Sequence, residues 1–289
     1  MVSTKRSVDS TSIRRYGPLT YQGAWSGWEG EGPGATTLGE VCGRFVSSSP
    51  PSELARYFGA EVASGVELAT NFNVAPSSEV YVVYDDGAAR CLDTFRWGLV
   101  PAWAKDPAIG SKMINARAET VATKNVFRQA FLRRRCVIPA DGFYEWTKVP
   151  GHKRKQPWYI TRPDGEPYAF AGLWERWRRP GEANHASLVT CSIITGAANS
   201  KMAQLHNRMP ILLAPSDWSR WLDPTQQDPD QLGQLLVPAP AQLVSFHPVS
   251  TAVNTASNQG PQLIEEIDDI DPDGRGQPLG PFRGDDSVA

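Results

Sequence analysis

Four side chains of complementary chemistry stand in apolar surroundings along this sequence: the thiol of Cys42, the carboxamide of Asn115, the carboxyl of Glu145 and the imidazole of His206. Together they supply a nucleophile, an acid–base carboxylate, a second proton carrier and a polar group that can hold a substrate oxygen, which is enough for nucleophilic and acid–base chemistry. Cys42 lies in GEVCGRFV (39–46), a stretch that reads like the start of a protein although it sits forty residues inside one. In MINARAET, Asn115, Arg117 and Glu119 alternate, so an extended backbone would turn all three the same way. Glu145 closes the aromatic run PADGFYEW, where burial would raise its pKa and suit it to proton transfer near neutrality. His206 and Arg208 precede the apolar end of LHNRMPILL. Each also has a plain structural reading, with Asn115 a turn residue, Glu145 the partner of an arginine, and His206 a half-buried, hydrogen-bonded histidine.

The elements that must hold these groups are short strands and few helices. SELARYF (52–58), after Pro50-Pro51, predicts a helix, as do KNVFRQAFLRR and PSDWSRWL. VYVVY (80–84), RCVIPADGFYEW (135–146), PWYIT, YAFAGLW and SLVTCSIIT are β-branched or aromatic runs bounded by Gly, Pro or Asp, and predict strands or paired strand segments. Helices and strands do not alternate regularly, so a doubly wound parallel sheet is disfavoured. The pattern fits an α+β fold, a single domain with a largely antiparallel, barrel-like β core flanked by helices.

Composition bounds the rest. The chain has 289 residues, 40% hydrophobic and 21% charged, the balance of an ordinary soluble protein. No run of eighteen apolar residues predicts a membrane span. Arg14-Arg15 is not followed by the apolar segment of an export signal, so the expected location is the cytoplasm. Cys42, Cys91, Cys136 and Cys191 are widely spaced with no C-x-x-C pair, which argues against a zinc site or a disulfide framework; the last three are expected to be inert core residues. From Glu265 onward the chain holds eight acids against Arg275 and Arg283, and the body from Cys42 to Ile264 is left with 23 basic and 19 acidic residues. A mild basic excess is only a weak pointer to nucleic acid. Residues 1–41 lack apolar periodicity, and 265–289 are rich in Asp, Gly and Pro; both are expected to be disordered, flanking a folded domain at 42–264.

Nine motifs follow one another in that body: CGRF, FNVAP (72–76), RWGLVPAWAKD (96–106), INARAET (114–120), FR (127–128), CVIPADGFYEW (136–146), FAGLWE (170–175), SIITGAAN (192–199) and LHNRMPILL (205–213). Together they resemble the SOS response-associated peptidase (SRAP) family. The resemblance implies a sensor of abasic sites in single-stranded DNA that crosslinks covalently through its cysteine, acting in the DNA damage response as a monomer, with DNA lyase and autoproteolytic activities attached to the same site. In that family the cysteine follows the initiator methionine and becomes the amino terminus. Here Val41 stands in the methionine's place, which suggests either that residues 1–40 are an upstream misreading of a GTG start or that the chain cleaves itself before Cys42.

A free end matters chemically. The open abasic sugar is an aldehyde, an α-amine of pKa about 7.7 to 8.0 is partly neutral at pH 7, and the thiol of the same residue can close on the resulting imine as a five-membered thiazolidine. In this scheme Glu145 shuttles protons, His206 serves the sugar hydroxyl and reversal, and Asn115 holds the aldehyde; no metal or organic cofactor is required. Arg44, Arg117, Arg128 and Arg208 are the candidate phosphate contacts, Trp97 and Trp146 the candidate stacking platforms at roughly 1 to 3 kcal/mol each, and Thr195 and Asn199 candidate loop contacts to the strand. Two other classes stay open at this point: a thiol peptidase using Cys42 and His206, and a non-catalytic single-strand binder.

Overall fold

The β-branched and aromatic runs do form strands. The computed structural model describes residues 42–149, 154–181 and 187–267. In chain order the strands are β1 (Phe45–Ser47), β2 (Glu61–Val62), β3 (Asn71–Val74), β4 (Glu79–Asp85), β5 (Arg90–Trp97), β6 (Asn115–Arg117), β7 (Arg135–Ala140), β8 (Gly142–Lys148), β9 (Lys155–Thr161), β10 (Tyr168–Trp177), β11 (Leu188–Ala197), β12 (Arg208–Pro210) and β13 (Ser245–Pro248). The helices are short: α1 (Pro51–Phe58), α2 (Arg128–Arg133), α3 (Trp218–Leu222) and α4 (Pro229–Gly233).

One sheet runs β12-β11-β10-β7-β4-β5-β2, and the added parallel pairing of β5 with β11 closes β11, β10, β7, β4 and β5 into a five-stranded barrel. β6 pairs with β11 in parallel beyond that closure. The second sheet is β13-β9-β8-β1-β3, antiparallel throughout. The α+β, barrel-like core is therefore as expected, and its antiparallel character is broken only at β5–β11, β6–β11 and β2–β5 among the described strands.

Alternation along the barrel strands serves two cores. Val80, Val82, Phe95, Trp97, Cys136, Ile138 and Ile193 pack with Phe45, Phe143 and Ile160 of the second sheet. Tyr81, Val83, Leu92, Val137 and Ile194 pack instead with Leu54, Phe58, Phe131 and Trp221 of the helices. Because both faces of these strands are covered, they carry apolar residues at successive positions. Arg135 is buried on β7, where its guanidinium donates to the carbonyls of Phe131, Leu132, Trp221 and Asp223, so one cation satisfies the last carbonyls of α2 and α3.

RCVIPADGFYEW is two strands, split at Asp141 between the two sheets. The Asp141 carboxylate accepts from the backbone and hydroxyls of Ser48 and Ser49, tying the end of β1 to this corner. Gly142 follows because the Tyr159 ring crosses its α-carbon well inside the contact distance of any added Cβ. Gly142→Ala should cost about 1 to 3 kcal/mol, read as a lowered urea midpoint; an unchanged midpoint would show that Tyr159 can swing aside.

The folded body extends through Ile267, beyond the expected boundary at 264. Glu266 bridges Val249, the Ile267 N–H donates to Pro248, and Ile267 is buried, so apolar packing holds the first acidic residues in place. The disorder expected of 1–41 and of the tail from 268 lies outside the described residues. Among the described residues no helix is long and apolar enough to cross a membrane.

Candidate active site

The β1–β8 ladder decides what Cys42 faces. Phe45 pairs with Phe143 and Val46 with Gly142, and the Tyr144 N–H donates to the Arg44 carbonyl, so the chain running back from Phe45 passes alongside Tyr144 and Glu145. The Cys42 N–H donates to Glu145 Oε1 at 2.7 Å. Both residues are buried. Loss of water pushes the Glu145 carboxyl up to about 8, a rise only partly offset by the N–H groups of Cys42 and Trp146 and by the charge of Lys155. Burial, and then the Glu145 charge, pushes the Cys42 thiol up, so at neutral pH it is a thiol and not a thiolate.

His206 reaches the same strand from the other side of the sequence. Thr147, two residues beyond Glu145 and so on the same face of β8, donates from Oγ1 to the Leu205 carbonyl at 3.0 Å. Lys155 acts electrostatically on both Glu145 and His206. Burial lowers the His206 pKa, and the charges of Lys155 and Arg208 act in the same direction. His206 Nδ1 accepts the Arg208 N–H at 3.1 Å, which places the proton of the neutral ring on Nε2. Lys155 carried no local sign of this position, being one of several lysines in a polar turn region.

A second group forms around the end of β11. β6 and β12 lie on its opposite edges, pairing Arg117 and Pro210 with Thr195. Asn115 sits on β6 opposite Ile193, half-buried, and Arg117 is exposed. Thr195 is buried; its carbonyl accepts from Ala118 N–H and from Arg208 Nη2. Glu119 lies past the end of β6, so the expected one-sided row of Asn115, Arg117 and Glu119 stops at Arg117, and Glu119 grips Arg208 instead, at 2.9 and 3.1 Å. Arg44 and Trp146 meet at a third place: Arg44 donates to Asn73 and to the carbonyls of Val253 and Asn254, while Trp146 Nε1 donates to Asn254 Oδ1 at 2.6 Å, leaving the ring partly exposed. Arg128 is exposed at the first residue of α2 and stands outside these hydrogen-bonded groups.

Two further expectations are corrected. Trp97 is fully buried, with Nε1 donating to the Ile114 carbonyl and its ring 5.2 Å from Phe45, so no base can stack on it. Asn199 is a structural cap: Oδ1 accepts from the Lys201 and Met202 N–H groups and Nδ2 donates to Ala239. The exposed aromatic of the motif that holds Trp97, RWGLVPAWAKD, is Trp103, 58% exposed beside Lys105 and Lys112 in the loop leading to Asn115. Its setting among Pro, Ala, Lys and Asp, outside any strand alternation, was the available signal.

The SOS response associated peptidase (SRAP) family model matches residues 41–256. The abasic site processing protein YoqW of Bacillus subtilis (strain 168) is 42% identical over 227 residues, covering 78% of this chain and 99% of that protein. The abasic site processing protein YedK of Escherichia coli (strain K12) is 31% identical over 233 residues, covering 78% of this chain and 100% of that one. A crystal structure of a protein from Bacteroides thetaiotaomicron shares the fold at a TM-score of 0.69 and 22% identity, covering 78% of this chain and 99% of that one. With the match beginning at Val41, immediately before the cysteine whose nitrogen faces Glu145, and running through barrel and second sheet alike, the chain belongs to the SRAP family.

Proposed function

We propose that the chain processes abasic sites in single-stranded DNA by attaching to them through Cys42, in a form whose amino terminus is Cys42. The observation that carries this reading is the Cys42 nitrogen held 2.7 Å from a buried carboxyl with a pKa of about 8. A peptide nitrogen gains nothing from an acid–base partner. An α-amine does gain from one, because a carboxyl within hydrogen-bond distance can take the proton that the amine loses on attack and return it as water leaves.

The backbone at Cys42 also favours a free end. Its φ of 52° is in the left-handed region, which costs an L-residue roughly 1 to 2 kcal/mol. A terminal amine has no φ, so loss of Val41, by a start at that position or by self-cleavage, relieves the conformation. The names of the relatives supply the substrate class, an abasic site. Arg44, Arg117, Arg128 and Arg208 then face phosphates, and Trp103 and Trp146 stack on bases, an arrangement that favours single strands because paired bases stay stacked.

A thiol peptidase acting on other proteins would need a depressed thiol pKa, whereas burial raises that of Cys42. Intact mass after mixing with an abasic single strand tests the proposal. The expected product weighs the sum of protein and strand less one water, and an unchanged mass overturns it.

His206, with a neutral ring and its proton on Nε2, serves the sugar oxygen as the ring opens and closes. In a competition chase, where preformed crosslink meets excess unlabelled abasic strand, His206→Ala should transfer several-fold more slowly than the parent. Transfer at the parental rate would remove His206 from the mechanism.

A further inference from the structure

The bidentate pair between Glu119 and Arg208 occupies the edge of the guanidinium that a phosphate would use. Arg208 Nη1 and Nη2 donate to Glu119 Oε1 and Oε2 at 2.9 and 3.1 Å, a fork geometry that carboxylate and phosphate share. Resting on the single-strand reading above, we propose that Glu119 is a displaceable stand-in for a DNA phosphate, covering Arg208 until a strand takes its place.

Three observations support displacement over a fixed structural role. The Glu119 side chain is 52% exposed and that of Arg208 19%, so the carboxylate lies on the solvent side of the pair. Arg208 does not depend on Glu119 for its position, because Nη2 also donates to the Thr195 carbonyl at 2.7 Å and to Thr195 Oγ1 at 3.3 Å. Because the carboxylate of the pair is solvated, replacing it by another anion leaves no buried charge unpaired. The Arg208 hydrogen bonds hold the Glu119 carboxyl below the usual carboxylate range, so it stays ionised at neutral pH and leaves by competition, not by protonation.

The cover has a functional consequence. With Glu119 on Arg208 the site presents less positive charge to passing polyanions, and a strand gains the Arg208 contact only by ejecting a carboxylate. Phosphates held nearby by a captured lesion have the local concentration to do so.

The test is a double-mutant cycle in the full chain, using fluorescence anisotropy on a single strand that carries a tetrahydrofuran abasic analogue, which cannot react. Glu119→Gln should bind about three- to ten-fold tighter than the parent, and the slope of log affinity against log salt should steepen by up to about 0.7, the increment for one phosphate contact on a single strand. Arg208→Ala should bind more weakly than the parent, and Glu119→Gln should add nothing in the Arg208→Ala background. Melting temperatures check folding, and Glu119→Ala is the second variant should the amide perturb it.

Weaker or unchanged binding by Glu119→Gln overturns the proposal and makes Glu119 a clamp that orients Arg208. An equal gain in the Arg208→Ala background also overturns it, as a bulk charge effect. If Glu119→Gln is inert while the mass gain at Cys42 is observed, only this proposal fails. If no variant binds the strand and no mass gain occurs, the function proposed above fails with it.

Discussion

Protein that begins at Cys42 should be captured quantitatively by an abasic single strand in a linkage that survives denaturation, and the same protein with its amino terminus acetylated should not. In the proposed reaction the amine attacks the aldehyde carbon, the carbinolamine loses water to give an imine, and the Cys42 sulfur adds to the imine carbon while the nitrogen takes up a proton. One C–N and one C–S bond form and one water leaves. Acetylation removes the nucleophilic nitrogen and leaves a thiol able only to form a labile hemithioacetal. Cys42→Ala at the same terminus should lose the stable product yet keep an imine that borohydride traps, since nitrogen and sulfur make separate bonds. The geometry predicts this division: the nitrogen faces Glu145 Oε1 at 2.7 Å, while burial keeps the sulfur protonated until a carbon electrophile is beside it. A denaturation-stable product from acetylated protein would mean that another nucleophile, or the thiol alone, does the chemistry.

The parts of this site that were legible in the sequence are those governed by local pattern. Glu145 follows Phe143 and Tyr144, and a carboxyl in such an aromatic run is buried with its pKa raised, as found, although it stands in the middle of β8 and not at its end. What local pattern could not reveal is pairing across long separations. Cys42 and Glu145 are 103 residues apart and meet through the β1–β8 register, and the barrel closes through a parallel contact of Thr190 with Arg96 and Cys191 with Trp97, which leaves no turn signal in either strand. β5, RCLDTFRW, shows no strand pattern in its sequence because polar residues interrupt its apolar ones. Within the first tryptophan motif, Trp97 and Trp103 differ only in context: one ends a strand covered on both faces and the other stands in a loop, so their roles follow burial and not residue type. Asn199 misled for a similar reason, since a polar loop residue that looks available can have both ends of its amide committed to the backbone.

Replacing Glu145 by Gln should make the protein more stable and far less active, and the two effects have one cause. In the unfolded chain this carboxyl ionises at about 4.5, whereas in the fold with the chain continuing before Cys42 it keeps its proton to about 8. Between those values the unfolded state has released a proton that the native state still holds, so stability is full below about 4.5 and is lost as pH rises toward 8. Gln never ionises and retains an oxygen to accept the Cys42 N–H. At pH 8 the Glu145→Gln protein should therefore be more stable than the parent by on the order of a few kcal/mol, with a higher melting temperature, and the difference should close as pH falls to about 4.5. Crosslinking by the form that begins at Cys42 should slow by roughly 10² to 10⁴, the contribution expected of a positioned acid–base group. In that form the ammonium beside Glu145 lowers its pKa, so the stability gain from Gln should shrink when Cys42 is freed, which separates the desolvation effect from any general packing advantage of the amide. Should Glu145→Gln melt below the parent at pH 8 in the uncleaved chain, the ionised carboxylate would be the favoured form in the fold, and Glu145 could not hold the proton that the amine has to lose.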